Sequence, residues 1–304
     1  MTETIPASPS TLQKWIIAAR PRTLPASLAP VIVGAALAAA DQSFKPGPAL
    51  AAALIALLLQ IGANFANDVF DFRKGADTSE RLGPVRVTLS GLLTQKQVLT
   101  GMWVVFGTAG LLGIYLAVQA GWILILVGAL AILSAIAYTG GPYPLGYNGL
   151  GEVFVFIFFG LVALNGTYYV QAGRLTAASL MASAAVGLLT VNILVVNNLR
   201  DIVTDRASGK RTLAVRFGEA WTRREYAVLL AAAYLIPLLM ALAGLASAWV
   251  LLTLASVPRA ARLVRDIYTL QGRPLNKALA GTGSFELLFS LLFSAGLLIP
   301  VLFG

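Results

Sequence analysis

The stretch that decides the fold reads Asn64-Phe65-Ala66-Asn67-Asp68-Val69-Phe70-Asp71-Phe72-Arg73-Lys74-Gly75-Ala76-Asp77. It follows an apolar run, residues 48–63, that is long enough to begin a membrane span. On a continuous helix, Asn64, Asp68 and Asp71 share one face, because residues at i, i+4 and i+7 lie above one another. Ionisable groups at the end of a membrane helix are costly and usually have a function. The alternative is a helix end that simply enters water.

The whole chain has the composition of a protein that crosses a membrane many times. Of its 304 residues, 58% are hydrophobic and only 12% are charged, whereas a soluble domain is about a quarter charged. The net charge of +9 does not indicate nucleic-acid binding, because the cations lie in loops between apolar runs. Cysteine and histidine are both absent, which excludes disulfides, thiolate nucleophiles and any metal site or general base built from histidine. Chemistry must therefore come from carboxylates, amides, Lys, Arg and Tyr.

Hydropathy divides the chain into about nine spans of the roughly 20 residues that a bilayer requires. We predict spans near residues 24–41, 48–68, 98–118, 121–138, 149–171, 176–198, 226–244, 246–264 and 283–303. With nine spans, every Lys and Arg except Lys45 and Arg174 falls on one side, and the positive-inside rule makes that side and the N-terminus cytoplasmic. We expect an all-α polytopic membrane protein, with residues 1–23 as a cytoplasmic N-terminus carrying an amphipathic interfacial helix and residues 24–304 as one transmembrane domain. Membrane lipid surrounds such a domain, and no obligate protein partner is indicated.

A second acidic stretch ends the sixth predicted span. It reads Asn197-Asn198-Leu199-Arg200-Asp201-Ile202-Val203-Thr204-Asp205-Arg206-Ala207-Ser208-Gly209-Lys210-Arg211. Asn197, Asp201 and Asp205 again share one helical face. Both stretches run from Asn through two Asp residues to a Gly with basic neighbours, and four spans separate them, which indicates a weak internal repeat of helix units. Two carboxylate clusters at the same depth can face each other across a cavity.

Facing carboxylate clusters suit Mg²⁺, which binds one or two carboxylates together with substrate phosphates. Two or three such ions would neutralise a diphosphate and make it a good leaving group, and nearby Arg and Lys would hold the remaining phosphate oxygens. Loss of diphosphate from an allylic chain leaves a carbocation, which aromatic faces attract. Aromatic candidates near the same membrane face are Phe65, Phe70, Tyr138, Tyr143 and Tyr147, for which ordinary packing or interfacial anchoring is the alternative.

The two stretches resemble the paired aspartate-rich motifs of the UbiA superfamily of membrane prenyltransferases. In the general first motif, N-D-x-x-D-x-x-x-D, the last acid would fall at Gly75, and here it comes at Asp77. This variant resembles the branch of the family that prenylates 1,4-dihydroxy-2-naphthoate in menaquinone synthesis. The resemblance covers roughly residues 14–300, and further stretches similar to that branch are residues 20–25, 138–152 and 197–218.

The resemblance implies about nine transmembrane helices around a central cavity that opens laterally to lipid, in the bacterial cytoplasmic (inner) membrane. It implies transfer of a polyprenyl chain from polyprenyl diphosphate to 1,4-dihydroxy-2-naphthoate, with loss of CO₂ and diphosphate, giving demethylmenaquinone. The implied Mg²⁺ ligands are Asn64, Asp68, Asp71, Asn197, Asn198, Asp201 and Asp205, of which the four Asp residues are the catalytic candidates. The implied diphosphate-binding residues are Arg73, Lys74, Lys210 and Arg211. We expect residues 64–71 to line the cavity as helix and residues 73–77 to form a loop over the substrate phosphates.

Other candidate residues lie near these motifs. The pocket for the aromatic acceptor or the carbocation is assigned to Asn67, Tyr138, Tyr143 and Tyr147. Gly75 separates Asp77 from its helix, which makes that acid a weaker candidate. The positive-inside rule alone also explains the basic residues of both stretches. Two roles stay open for three more residues: acceptor carboxylate or lipid phosphate for Arg20 and Arg22, and site residue or helix cap for Glu152.

Two competing functions are also open. A neighbouring branch of the family would use 4-hydroxybenzoate or homogentisate as the acceptor. A membrane transporter would also carry acids on repeat-related helices, but it is expected to break its helices near the bilayer midplane. The acids here lie at helix ends on one side, which favours the prenyltransferase.

Overall fold

The structure, a computed structural model, describes residues 9–76 and 81–303. Within those ranges the chain is helical and no residue lies in a strand, which confirms the predicted all-α class. The helices are α1 (Thr11–Ala19), α2 (Leu24–Ala40), α3 (Pro46–Arg73), α4 (Gln95–Ala120), α5 (Ile123–Ala137), α6 (Gly151–Ala172), α7 (Ala177–Ala207), α8 (Leu213–Phe217), α9 (Glu219–Leu242), α10 (Val257–Thr269) and α11 (Leu275–Phe303).

Among the described residues, seven helical segments are long and apolar enough to cross a membrane: α1 with α2, then α3, α4, α6, α7, α9 and α11. Two predicted spans are built from shorter helices. At 1.5 Å per residue, α5 is roughly 22 Å long, which is less than the hydrocarbon thickness. The predicted span 246–264 begins as a 3₁₀ helix, Ala248–Ser256, that leads directly into α10. Because a 3₁₀ helix rises by about 2.0 Å per residue, the two together cover roughly 37 Å.

The N-terminal helix α1 packs against α3. A capping box between Ser10 and Gln13 begins it, so the first free backbone N–H groups are satisfied. Trp15 contacts Phe65 of α3, with ring centroids 5.6 Å apart, while Leu12 and other apolar residues of α1 remain exposed. A helix with one face on the bundle and an exposed apolar face is suited to the membrane interface.

The helices α6 and α7 approach each other closely at two glycines. A Cβ atom on Gly160 would lie 2.6 Å from the Cα of Gly187, so neither helix can carry a side chain at this crossing. Here α6 adopts a π-helical segment, Phe156–Val162, the kind of irregularity that often marks a functional region. This part of α6 forms a wall of the internal cavity through Phe158 and Phe159.

The two acidic stretches lie at the C-terminal ends of α3 and α7. We expected Arg73 to begin a loop, but α3 includes Arg73 as its last residue and Lys74 is its C-cap. The stretch after α7 turns at Gly209, whose φ of 76° favours glycine. The same end of the bundle also holds the segment 81–94, the turn 138–150 and Lys210, each of which contacts Asp71.

Candidate active site

A cavity of about 1390 Å³ runs along the inside of the bundle. It follows α3 from Ala52 to Asp71, both of which line it, and this distance is roughly 28 Å at 1.5 Å per residue. Away from Asp71 the walls are mainly apolar, with Leu59, Ile114, Ile132, Phe158 and Leu194 among the lining residues. The polar and charged side chains gather at the Asp71 end. This shape suits a ligand with a charged head and a long apolar part.

Asp71 is buried at the polar end of the cavity and lines it. Tyr147 donates a hydrogen bond to Asp71 Oδ1 at 2.8 Å. Arg86 Nη2 donates to Asp71 Oδ2 at 2.6 Å, and the Nζ of Lys210 lies 4.0 Å from Oδ1. One carboxylate of the first stretch therefore holds three segments that are distant in sequence.

Asp205, from the second stretch, lines the same end of the cavity. Its Oδ1 lies 3.5 Å from the Nζ of Lys210. The ammonium group that approaches Asp71 thus also approaches Asp205. Lys210 lies over the ring of Tyr147 as well, with its Nζ 4.8 Å from the ring centroid, which is a cation–π contact. The two acidic stretches therefore meet at Lys210 and Tyr147.

Asp68 has a different environment from Asp71, although both lie on α3. Its Oδ1 accepts a hydrogen bond from the N–H of Thr88 at 2.9 Å and its Oδ2 accepts one from the N–H of Val87 at 3.1 Å. Arg20 Nη2 lies 3.5 Å from the same Oδ2. Asn64 and Asp71 line the cavity, but Asp68, which we expected on the same face of α3, does not. Asp68 holds the backbone of the segment that carries Arg86.

Asp201 lines the cavity and pairs with its neighbour Arg200, at 2.8 Å from Nε and 2.5 Å from Nη2. Arg200 also donates from Nη2 to Asn197 Oδ1 and from Nη1 to Asn276 Oδ1 of α11, each at 2.8 Å. Asn276 Nδ2 in turn donates to the carbonyl oxygen of Leu82 at 2.8 Å. This network connects the second stretch to the segment that precedes Arg86.

Two amides of the first stretch join α3 to neighbouring segments. Asn64 Nδ2 donates to the carbonyl oxygen of Ala19 and to Thr23 Oγ1, each at 3.0 Å. Thr139 Oγ1 donates to Asn67 Oδ1 at 3.0 Å. Asn64 and Asn67 both line the cavity, so they connect its wall to the start of α2 and to the turn after α5.

The predicted aromatic residues separate into two groups. Tyr138 and Tyr147 line the cavity, whereas Tyr143 is exposed and does not. Burial, and after it the negative charge of nearby carboxylates with Glu152 the strongest, raises the pKa of Tyr138, so its phenol keeps its proton. Glu152 itself is buried at the start of α6 and accepts a hydrogen bond from Asn198 Nδ2 at 2.8 Å.

Of the four cations predicted to hold diphosphate, Lys74 and Lys210 meet at one tyrosine, with their Nζ atoms 5.0 Å and 4.8 Å from the centroid of the Tyr147 ring. Lys210 lines the cavity, whereas Arg73, Lys74 and Arg211 are exposed and do not line it. Arg73 Nε donates to Gln95 at 3.2 Å, on the outside of the bundle. Of these four residues, Lys210 is the one that lines the cavity, while Lys74 lies beside Tyr147 and donates from Nζ to the carbonyl oxygen of Gly141 at 3.1 Å.

Arg86 is one of the cavity-lining cations that the sequence analysis did not single out. It is buried, lines the cavity and contacts Asp71. In the sequence it is one more basic residue of the polar stretch between two apolar runs, and no spacing connects it to the acidic motif. Arg20 and Arg22 also line the cavity, while Asp77 lies outside the described residues. Other cavity-lining cations not singled out in the sequence analysis are Arg81, Arg273 and Lys277.

The donor set at the polar end fits a cation such as Mg²⁺. Asp71 and Asp205 supply carboxylates from opposite stretches, and both approach one ammonium group. In the part of the chain that the structure describes, no three acidic side chains form a metal-binding group of their own. Because Mg²⁺ commonly takes one or two carboxylates and completes its shell with substrate phosphates and water, the phosphates of a ligand would supply the remaining oxygens.

Fold and site together define an integral membrane protein with a site for an amphiphilic ligand. The chain belongs to the UbiA prenyltransferase family, whose model matches residues 27–290. It is 41% identical over 285 residues to the 1,4-dihydroxy-2-naphthoate octaprenyltransferase of Mycobacterium tuberculosis, covering 93% of this chain and 96% of that protein. It is 39% identical over 298 residues to the Escherichia coli protein of the same name, covering 95% of this chain and 96% of that protein.

The fold is also found among solved structures. A UbiA homolog from Archaeoglobus fulgidus bound to DMAPP and Mg²⁺ matches with a TM-score of 0.68 and 14% identity, covering 94% of this chain and 99% of that chain. At this identity the likeness establishes the arrangement of helices.

Proposed function

We propose that this protein transfers a polyprenyl chain from polyprenyl diphosphate to 1,4-dihydroxy-2-naphthoate, with loss of CO₂ and diphosphate, as a step of menaquinone synthesis. The observation that carries the proposal is the meeting of both acidic stretches at Lys210 and Tyr147, at the polar end of a deep apolar cavity. Relatives named for this acceptor, at 39% and 41% identity over nearly the whole chain, support the choice of naphthoate.

Mg²⁺ is the proposed cofactor. Asp71 and Asp205 would hold it, with Asp201 and an amide oxygen of the second stretch beside them. The bound ion supplies charge neutralisation that makes diphosphate a better leaving group. The A. fulgidus homolog with DMAPP and Mg²⁺ supports this assignment.

Lys210 and Arg86 are the proposed ligands of the diphosphate oxygens. Both line the cavity, and in the free protein Arg86 pairs with Asp71 while Lys210 lies between Asp205 and Asp71. An arriving diphosphate offers stronger acceptors, and the planar guanidinium of Arg86 can bind two phosphate oxygens at once. Asp68 contributes by holding the segment 86–88 in place through two backbone N–H groups.

The chemistry at the prenyl carbon needs little from a protein base. The C–O bond breaks with its electron pair leaving on diphosphate, and the ring carbon that carries the carboxylate forms the new C–C bond. The acceptor then loses its carboxylate as CO₂, and that electron pair restores the aromatic ring, so the product is demethylmenaquinone in its quinol form. Tyr147 and the neutral phenol of Tyr138 line the cavity where the cation develops. Arg20 and Arg22 are the proposed partners of the acceptor carboxylate.

We also propose that the site opens on the cytoplasmic side of a bacterial inner membrane. The basic loops and the acidic ends of α3 and α7 lie on one side of the nine-span arrangement, and the positive-inside rule places that side in the cytoplasm.

A turnover assay tests the function. Purified protein in detergent is mixed with Mg²⁺, a polyprenyl diphosphate and 1,4-dihydroxy-2-naphthoate labelled at the carboxyl carbon. We expect labelled CO₂ together with a prenylated product, loss of both with EDTA and recovery with added Mg²⁺. Prenylation of 4-hydroxybenzoate or homogentisate alone would move the protein to a neighbouring branch, and no turnover with any acceptor would contradict the proposal.

A further inference from the structure

Two neighbouring amides, Asn197 and Asn198, line the cavity beside the acids of the second stretch. Their oxygens are not equivalent. Asn197 Oδ1 accepts a hydrogen bond from Arg200 Nη2 at 2.8 Å, so its oxygen is already used in the network that connects α7 to α11. A ligand in the cavity would have to compete with a buried guanidinium for that oxygen.

Asn198 is held through its amide nitrogen, so its oxygen is not used in the same way. Its Nδ2 donates to Glu152 Oε1 at 2.8 Å, and both side chains are buried. A side-chain amide is planar, with its oxygen and nitrogen on opposite sides of the Cγ atom. When Nδ2 faces Glu152, Oδ1 must point away from it, and the hydrogen bonds of the described residues include none to this oxygen.

Glu152 is placed for this contact by the backbone. It lies in the first turn of α6, directly after Gly151. A Cβ on Gly151 would lie 3.0 Å from the hydroxyl of Tyr138 and 3.1 Å from Leu194 of α7, so glycine lets the start of α6 come close to α7. The other carboxyl oxygen, Oε2, is buried without a hydrogen-bond partner.

A buried membrane carboxyl with one unsatisfied oxygen is costly, which argues against a purely structural role. Without Glu152, the amide of Asn198 could turn over about its last torsion, which has two nearly equivalent orientations. It would then present an N–H₂ group, which repels a cation, where an oxygen is needed.

We propose that Glu152 is a positioning residue that orients Asn198 so that Asn198 Oδ1, and not Asn197 Oδ1, is the amide oxygen available to Mg²⁺ and its diphosphate. This inference rests on the proposed function. It identifies the residue that orients one of the proposed Mg²⁺ ligands. Glu152 acts through Asn198 and does not itself touch the substrate.

The test compares E152A, E152Q, N198A and the double variant E152A/N198A. One measurement is the Mg²⁺ concentration at half-maximal turnover. A second, independent of turnover, is the thermal stabilisation of the detergent-solubilised protein by Mg²⁺ with inorganic diphosphate. Loss of a group that orients a metal ligand typically weakens metal binding about 10- to 100-fold. We expect such a rise in the Mg²⁺ requirement for E152A and N198A, by both measurements.

The double variant should be no worse than N198A, because Glu152 acts through that amide. E152Q should recover most of the Mg²⁺ affinity, since the glutamine oxygen still accepts from Asn198 Nδ2. The matched control is N165A, which removes a different buried hydrogen bond between α6 and α7, from Asn165 to Ser183 at 2.8 Å. It should lower the melting temperature without changing the Mg²⁺ requirement.

Additive losses in the double variant, an E152Q protein as weak as E152A, or an N165A protein with the same Mg²⁺ defect would each overturn the inference. A wild-type protein that Mg²⁺ and diphosphate do not stabilise would overturn it as well. Failure of the proposed function looks different: Mg²⁺ and diphosphate would stabilise the wild type in the same Glu152-dependent way, but naphthoate would not be prenylated.

Discussion

The ammonium group of Lys210 lies over the ring of Tyr147, with Nζ 4.8 Å from the ring centroid. The hydroxyl of the same tyrosine donates to Asp71 on α3, while Lys210 approaches Asp205 on α7. This pair therefore connects the two acidic stretches, and it lies where the charged head of a ligand would enter the polar end of the cavity.

Replacing Lys210 with Met should weaken binding of the prenyl diphosphate. Met keeps the length and apolar contacts of the side chain but removes the charge-assisted hydrogen bonds to phosphate. Such bonds are worth about 1.5–3 kcal/mol, so we expect the KM for the donor to rise about 10- to 100-fold. Steady-state kinetics with varied donor concentration measures this change.

Tyr147→Phe is the companion variant, because it keeps the ring beneath Lys210 and removes the hydrogen bond to Asp71. A larger rise in KM for this variant than for Lys210→Met would contradict the assignment of Lys210 to the diphosphate.

Arg86→Gln should be far more damaging than Arg73→Gln. Arg86 is buried and pairs with Asp71 inside the cavity, and removing one partner of a buried pair typically costs about 3–5 kcal/mol. We expect a lower melting temperature and a raised KM for the donor. Arg73, two residues beyond Asp71, is exposed and hydrogen-bonds to Gln95, so its loss should alter stability by no more than about 0.5 kcal/mol. Equal effects in the two variants would return Arg73 to the diphosphate site.

Gly166→Leu should shorten the longest prenyl chain that the protein accepts. Gly166 lines the cavity on α6, and a Cβ there meets no atom within 4 Å. It lies 15 residues from Gly151 at the polar end of α6, roughly 22 Å along the helix, so a larger side chain would occupy the far part of the cavity. Overpacking costs about 1–3 kcal/mol, which predicts a loss of kcat/KM of about 5- to 150-fold for an eight-unit donor. A two-unit donor in parallel assays is the control, and equal losses for both donors would place the prenyl chain elsewhere.

A separate polar cluster at the opposite end of the bundle should affect stability but not turnover. Asp41, just after α2, accepts hydrogen bonds from Tyr168 of α6 and from Arg174, the latter at 3.0 Å. Burial acts to raise the pKa of Asp41, but Tyr168 and Arg174 outweigh it and the net pKa is lowered. A carboxyl with a lowered folded-state pKa stabilises the fold above its unfolded pKa, and that contribution is lost as the pH falls through the folded pKa.

The corresponding variant is Tyr168→Phe. At neutral pH it should cost about 1 kcal/mol, the usual worth of one hydrogen bond, and the difference from wild type should shrink once the pH falls below the ordinary Asp value of 3.8. Thermal unfolding followed by tryptophan fluorescence at neutral and acidic pH measures this. A difference that persists undiminished in acid would show that the ionised Asp41 is not the partner that matters.

The fold class could be predicted because apolar runs of membrane length and sparse charge leave few alternatives to a helical bundle. Hydropathy also located the nine predicted spans. It does not distinguish a 3₁₀ helix from an α-helix, so the 3₁₀ conformation of Ala248–Ser256 could not be predicted. Within the site, the motif spacing identified Asp71 and Asp205 and the family resemblance implied Lys210, and all three line the cavity. It could not separate Asp68 from Asp71, because helical periodicity gives the face of a residue and not what packs against that face.

By itself, the sequence determined a polytopic all-α membrane protein with two repeated acidic helix ends, because the hydrophobic period and the cost of buried charge act locally along the chain. Only the tertiary structure decided which side chains share the cavity. The segment 86–88 folds back so that its backbone satisfies Asp68 and its guanidinium satisfies Asp71, and Glu152 turns the amide of Asn198. These pairings depend on long-range packing that brings hydrogen-bond partners together in the buried interior, where a polar group without a partner is costly.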